Sequence, residues 1–220
     1  MEHWIFLLCV IFLIWYFSHE IFVYCTRKEA CSSQDNRCYS IVGHYEPNTH
    51  EQASQLLAQL NIFNLQLIEY MRDKYLWYVV PVIGETQKSM EYKRRMTELL
   101  LLNYNPDNII ENDPINSINT SYVENKGKVF AICLREKKSG ENRFHDIDTL
   151  KFIVLHEMAH LSTELIGHEM EFWTNFKILT QEATNCGIYN PVDFMSNPIN
   201  YCHLDIAYNP YYDNYIKIPK

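Results

Sequence analysis

Thr149-Leu150-Lys151-Phe152-Ile153-Val154-Leu155-His156-Glu157-Met158-Ala159-His160 is the stretch on which the reading of this chain turns. Asp146 or Asp148 can cap a helix that starts at Thr149, and apolar residues then fall on nearly every side, which predicts a buried helix. His156, Glu157 and His160 are polar groups inside it. An unpaired ionisable group in an apolar interior is costly or changes its protonation, so these three need a partner. Residues four apart lie about 40° apart around a helix. Both imidazoles can therefore reach one metal ion, with the carboxylate beside the open coordination position. The pattern predicts a hydrolytic zinc centre with His156 and His160 as ligands and Glu157 as base. Thr163 falls on the same face and is expected to line it.

Outward from that helix, Gly167 can end the turn and His168 follows His160 by eight residues. A second helix from His168 presents Phe172, Phe176, Leu179 and Ala183 on one side, with Gly187 past its end as a C-cap. Packing this face on the first helix carries the His168 imidazole toward the other two, making it the expected third ligand. Glu182 borders the same face and is the alternative; Glu164 and Glu171 are nearer in sequence but less well directed.

The remaining pattern predicts an α+β fold. Leu56, Leu57, Leu60, Phe63, Leu67, Ile68 and Met71 recur at helical spacing between Glu51 and Tyr75, and a further helix is expected from Glu85 to Asn103. Leu76 to Ile83, around Pro81, reads as a short strand or extended connection, and residues 107–119 as loop. Tyr122 and Val129 to Leu134 predict a strand pair or one buried strand, and the tyrosine-rich tail after Gly187 an irregular wrapping.

With 220 residues, 47% of them hydrophobic, the chain suits one domain with a proper core. Its net charge of -8 argues against nucleic acid as a partner, since phosphate neutralisation needs a basic face. Lys93-Arg94-Arg95 and Arg135 with Lys137-Lys138 are interleaved with Glu and read as solvated surface. Seven cysteines without a C-x-x-C pair read as small buried hydrophobes of a reducing compartment, with a Cys31–Cys38 bridge open to an oxidising one.

Trp4 to Phe17 is unbroken apolar sequence, and Trp4 to Cys25 as a helix reaches about 33 Å, enough for a roughly 30 Å hydrocarbon core. This predicts a transmembrane anchor over residues 1–25, a tether over 26–50 and a domain over 51–220. Arg27 and Lys28 after the span place that domain in the cytosol, as a single-pass protein of a viral or host membrane. The sequon Asn119-Thr120-Ser121 checks the orientation.

The run from His156 to His160, a seven-residue gap, then Gly167-His168-Glu169-Met170-Glu171-Phe172-Trp173, with an aromatic four residues after the third histidine, resembles the WLM and SprT-like zinc metallopeptidases. It is most similar to WLM-type metallopeptidases of large DNA viruses, over roughly Thr120 to Asp213, with Cys133-Leu134-Arg135 and Asn209-Pro210-Tyr211-Tyr212-Asp213 fitting the likeness. The length of the gap varies among relatives, so His168 is the ligand this likeness supports least. The resemblance implies a zincin-like core with a small sheet packed on the active helix, Zn2+ on His156, His160 and His168, and Glu157 as general base. It also implies a protein or peptide substrate added along Val129 to Leu134. Tyr189, Tyr201 and Tyr208 are available as oxyanion donors. The function expected is that of a membrane-anchored zinc metalloendopeptidase. Its rivals are a non-catalytic membrane or virion protein on a zincin scaffold, and a protease acting on DNA-bound proteins.

Overall fold

The computed structural model describes residues 10–13, 15, 27–77, 83–113, 120–136 and 143–219, and they combine helix and sheet. Strands β1 (Arg27–Cys31), β2 (Cys38–Val42), β3 (Ile109–Glu111), β4 (Tyr122–Glu124) and β5 (Val129–Ile132) form one sheet in the order β1-β2-β3-β5-β4. The two inner pairings, β2 with β3 and β3 with β5, are parallel, and the two outer ones antiparallel. A parallel pair needs a long crossover. Between β2 and β3 it is supplied by helices α1 (His50–Arg72) and α2 (Gln87–Asn103). Helices α3 (Ile147–Leu161) and α4 (Met170–Asn185) follow the sheet, and a small hairpin of β6 (Ile199–Tyr201) and β7 (Leu204–Ile206) closes the order.

Helix α1 is the spine of the core. Its buried stripe, including Leu57, Leu60, Leu67 and Met71, packs across β1, β2 and β3 and against α2 and α3. Two asparagines lie in that stripe and share one phenol: Tyr104 donates its hydroxyl to Asn61 Oδ1 (2.6 Å), and Asn64 Nδ2 donates to Tyr104 Oη (3.1 Å). Such pairing is what allows a polar group in a core. Asp146 caps α3, its carboxylate accepting from the Thr149 backbone N (2.9 Å) and hydroxyl (2.6 Å). Every residue from Thr149 to Thr163 is buried except Lys151, His156 and His160, as an apolar sequence on all sides demands.

Several expectations are corrected. Among the described residues no helix is long and apolar enough to cross a membrane, so neither the N-terminal transmembrane helix nor a single-pass membrane location is supported. A crossing needs about 20 consecutive apolar residues, whereas α1, with 23, is amphipathic and spends its apolar face on the core. Of residues 1–25 only 10–13 and 15 are described, as helix; the rest of the expected anchor lies outside the described residues.

The expected tether, residues 26–50, is instead part of the domain: it supplies β1 and β2, joined by a Cys31–Cys38 disulfide. Its polar composition follows from its place, since β1 is an edge strand with most side chains partly or fully exposed. Within the expected loop 107–119, residues 109–111 form the sheet's central strand, while 114–119, with the sequon's Asn119, lie outside the described residues. Leu76 and Trp77 end a π-helical turn, Asp73–Trp77, and 78–82 lie outside the described residues. Nor are the basic clusters solvated throughout. Lys93 is buried between Glu85 and Glu182. Arg135 is buried on Glu111 (2.7 Å) between the rings of Tyr45 and Phe144, while Lys137 and Lys138 lie outside the described residues. Cys133 and Cys202 are joined in a second disulfide, leaving Cys186 free among the described residues.

Candidate metal centre

The site begins with the end of α3. The last carbonyls of a helix have no partner inside it. Here Asn103 Nδ2 donates to Leu161 O (2.7 Å), Asn175 Nδ2 to Ser162 O (2.9 Å), and Lys126 Nζ to Thr163 O (2.6 Å). A cation at a helix C-terminus is also favoured by the helix dipole. These bonds fix the chain's exit from α3 to α2, α4 and the β4–β5 turn, and so fix the reversal that ends at Gly167, whose φ of +95° suits a residue without Cβ.

The reversal brings His168 back over α3. His156, His160 and His168 each present a ring nitrogen, and these atoms all lie within 4.8 Å of one another. The Nε2 atoms of His156 and His168 are 3.1 Å apart. Ring centroids of the three lie 4.9 to 5.1 Å from each other. Phe172 is the floor beneath them, fully buried and 4.4 to 4.8 Å from each imidazole. The helix starts at Met170 and not at the expected His168, so His168 ends the reversal just before α4 while Phe172 lies in its first turn.

Electrostatics favour neutral imidazoles. Burial, then the facing His160 and His168, push His156 down to about 3. Burial, His168 and Lys126 push His160 down to about 4, and burial lowers His168. Three unprotonated imidazoles converging on one point offer three lone pairs, the donor set that zinc takes in hydrolytic sites. Glu157 is 4% exposed, and burial without an offsetting charge raises its carboxyl to about 8. The residues therefore fit a bound cation, which would neutralise the Glu157 carboxylate and occupy the three lone pairs together.

A cleft of about 980 Å³ opens onto this group. Ser121 to Val123 form one wall, the β6–β7 hairpin with Tyr208 another, and Leu165, Ile166 and Trp173 a third, with His156, Glu157, His160 and His168 at the base. Most of that surface is apolar.

The sequence-expected residues divide clearly. His156, Glu157, His160 and His168 come together; the alternative ligand Glu182 does not, because Lys74 (2.6 Å), Lys93 (3.4 Å) and the Tyr75 hydroxyl (2.6 Å) hold its carboxylate. Glu164 pairs with Arg95, and Glu171 accepts from the Glu164 backbone (3.3 Å). Thr163 is buried and bonds the Ala159 carbonyl (2.7 Å) instead of lining the cleft. Of the three tyrosines, Tyr201 and Tyr208 border the cleft and Tyr189 does not. The strand bordering the cleft is β4, not the expected Val129 to Leu134, which is interior to the sheet. Lys126, Asn103 and Asn175 carried no signal of their role, since capping partners from other elements leave no periodic trace.

Over 206 residues the chain is 28% identical to an uncharacterized protein of Acanthamoeba polyphaga mimivirus, covering 91% of each. A stretch of 70 residues is 37% identical to an uncharacterized protein of Invertebrate iridescent virus 6, and one of 98 residues is 39% identical to an uncharacterized protein of Invertebrate iridescent virus 3. These cover 32% and 44% of this chain and 39% and 58% of those two proteins. No family model and no solved structure matches the chain.

Proposed function

We propose that the chain is a zinc-dependent metalloendopeptidase of the zincin kind. One observation carries the reading: three neutral imidazoles and one buried carboxyl converge at the base of an apolar cleft bordered by an edge strand. His156, His160 and His168 would hold the metal. Bound there, zinc supplies a Lewis acid and lowers the pKa of its water toward about 7.

Glu157 takes the proton of the attacking water and returns it to the leaving amine. Among the described residues β4 pairs with β5 alone, so its outer edge is free to receive an extended peptide as a further strand, with backbone bonds giving register. The apolar side chains of Leu165, Ile166, Trp173, Leu204 and Ile206 favour large hydrophobic residues next to the scissile bond. Of the two expected oxyanion donors that border the cleft, Tyr201 donates to Cys133 O (2.8 Å) and is bonded to Ser121 Oγ (2.6 Å), which leaves Tyr208. Its hydroxyl donates to Asp213 (2.7 Å).

The test uses the full-length chain, assayed for metal content and for cleavage of a peptide library. Wild type should carry one zinc and cut on the amino side or carboxyl side of bulky apolar residues. Glu157→Gln should keep zinc and lose at least about 100-fold in rate. Undiminished cleavage by pure Glu157→Gln protein rejects the mechanism, and zinc binding without any cleavage by wild type supports the non-catalytic scaffold instead.

A further inference from the structure

Outside the imidazole cluster, a second reactive group is built where the sheet meets the cleft wall. Cys133, just past β5, is disulfide-bonded to Cys202 in the β6–β7 turn, 69 residues later, and both are buried. His145 Nε2 lies 3.4 Å from Cys202 Sγ, and its ring packs on Tyr201 at 4.7 Å. The hairpin that this bond secures is weak by itself. Its strands have three residues each, and a two-stranded hairpin of that length is marginal in water. Its two turn residues, Cys202 and His203, have φ of 44° and 73°, a turn in which Asn and Gly are favoured and Cys and His are not. Yet Tyr201, Leu204, Asp205 and Ile206 of this hairpin line the cleft.

We propose that Cys133, Cys202 and His145 form a redox site: the disulfide clasps the β6–β7 hairpin to the sheet and completes the cleft, and its reduction releases that wall. The partner chemistry is thiol–disulfide exchange. In the forming direction the Cys202 thiol gives its proton to His145 Nε2, and the thiolate attacks a disulfide oxidant, expelling one oxidant thiolate. The expelled thiolate takes up the proton of the Cys133 thiol, the Cys133 thiolate attacks the mixed disulfide at Cys202, and the second oxidant thiolate leaves with the electron pair and takes the proton held by His145. Two thiols are oxidised and one external disulfide is reduced to two thiols, so atoms and electrons balance. Burial lowers the pKa of His145 and so leaves its imidazole unprotonated, with Nε2 at the Cys202 sulfur. An imidazole beside a thiol activates it by taking its proton, and the imidazolium so formed steadies the thiolate.

The effect on catalysis rests on the proteolytic reading, but the clasp has its own readout. Hydrogen exchange is followed across the full-length chain in three states: oxidised, reduced by a phosphine, and as the Cys133→Ala, Cys202→Ala double variant. Amides of residues 199–206 should exchange at least about tenfold faster in the last two, with α3 and α4 unchanged as the control for folding. Peptide cleavage should drop with the same states and return after reoxidation by glutathione disulfide, and His145→Ala should slow that return severalfold. Unchanged exchange in 199–206 overturns the proposal. So does uptake of a second zinc by the reduced chain, because thiolates holding a metal would retain the hairpin. If no state cleaves any peptide while the exchange difference holds, the clasp stands and the proteolytic reading fails.

Discussion

At the scale of single residues, the choice between His168 and Glu182 shows how a helical projection reaches its limit. The two are fourteen apart and border one face of the second helix, so periodicity ranks them without separating them. The separation comes from partners on other elements: Lys74, Tyr75 and Lys93 claim Glu182, while the reversal after α3 delivers His168 to His156. His168→Ala should therefore lose zinc with little change in the metal-free stability. On the same reading Glu182→Ala should keep zinc but remove the buried carboxylate that holds Lys74, Lys93 and the Tyr75 hydroxyl, lowering stability by about 3–5 kcal/mol in urea unfolding. Zinc loss by the Glu182 variant at undiminished stability would reverse the assignment. His156, Glu157 and His160 were legible without any structure, because all three belong to one helix whose geometry is local.

At the scale of elements, α3 is held at both ends. For the Asp146 cap, burial pushes the carboxyl up, but the bonds from the Thr149 hydroxyl and backbone outweigh it and hold the pKa below 3.8. A carboxyl depressed in the folded state contributes stability above its unfolded pKa and loses it as pH falls through the folded value. Acid should thus destabilise wild type below about pH 4 more steeply than Asp146→Asn, which keeps a capping oxygen and does not titrate; parallel curves would refute this. Asp146→Ala at neutral pH should cost about 1 kcal/mol. In the β4–β5 turn, Gly127 has φ of +93°, and a Cβ there would collide with the Asn103 backbone carbonyl, next to the side chain that caps α3. Gly127→Ala combines a disfavoured conformation with overpacking and should cost about 2–5 kcal/mol, read as a shift in unfolding midpoint. The α3 cap was legible as an Asp before an apolar run. The need for glycine at 127 was not, since the obstructing atom comes from α2.

At the scale of the whole molecule, a metal that joins α3 to the start of α4 stabilises only the folded chain, where the three imidazoles meet. On the proposed zinc reading, free metal at about a thousandfold excess over Kd adds roughly 4 kcal/mol. A chelator should then lower Tm by roughly 8–16 °C in wild type and leave His156→Ala unmoved; equal shifts in both would remove zinc from that site. The long helices and the shared face of His156, Glu157 and His160 were written in the sequence, because helix periodicity, caps and side-chain spacing are properties of residues within a few positions of one another. The sheet order, the recruitment of residues 27–42 as its first two strands, the edge position of β4, the second disulfide and the partners of Glu182 and Arg135 were decided only by the tertiary structure. Strands of three to five residues carry too little periodicity to declare themselves, and a buried charge or cysteine looks like a surface one until the distant group that satisfies it has been folded against it.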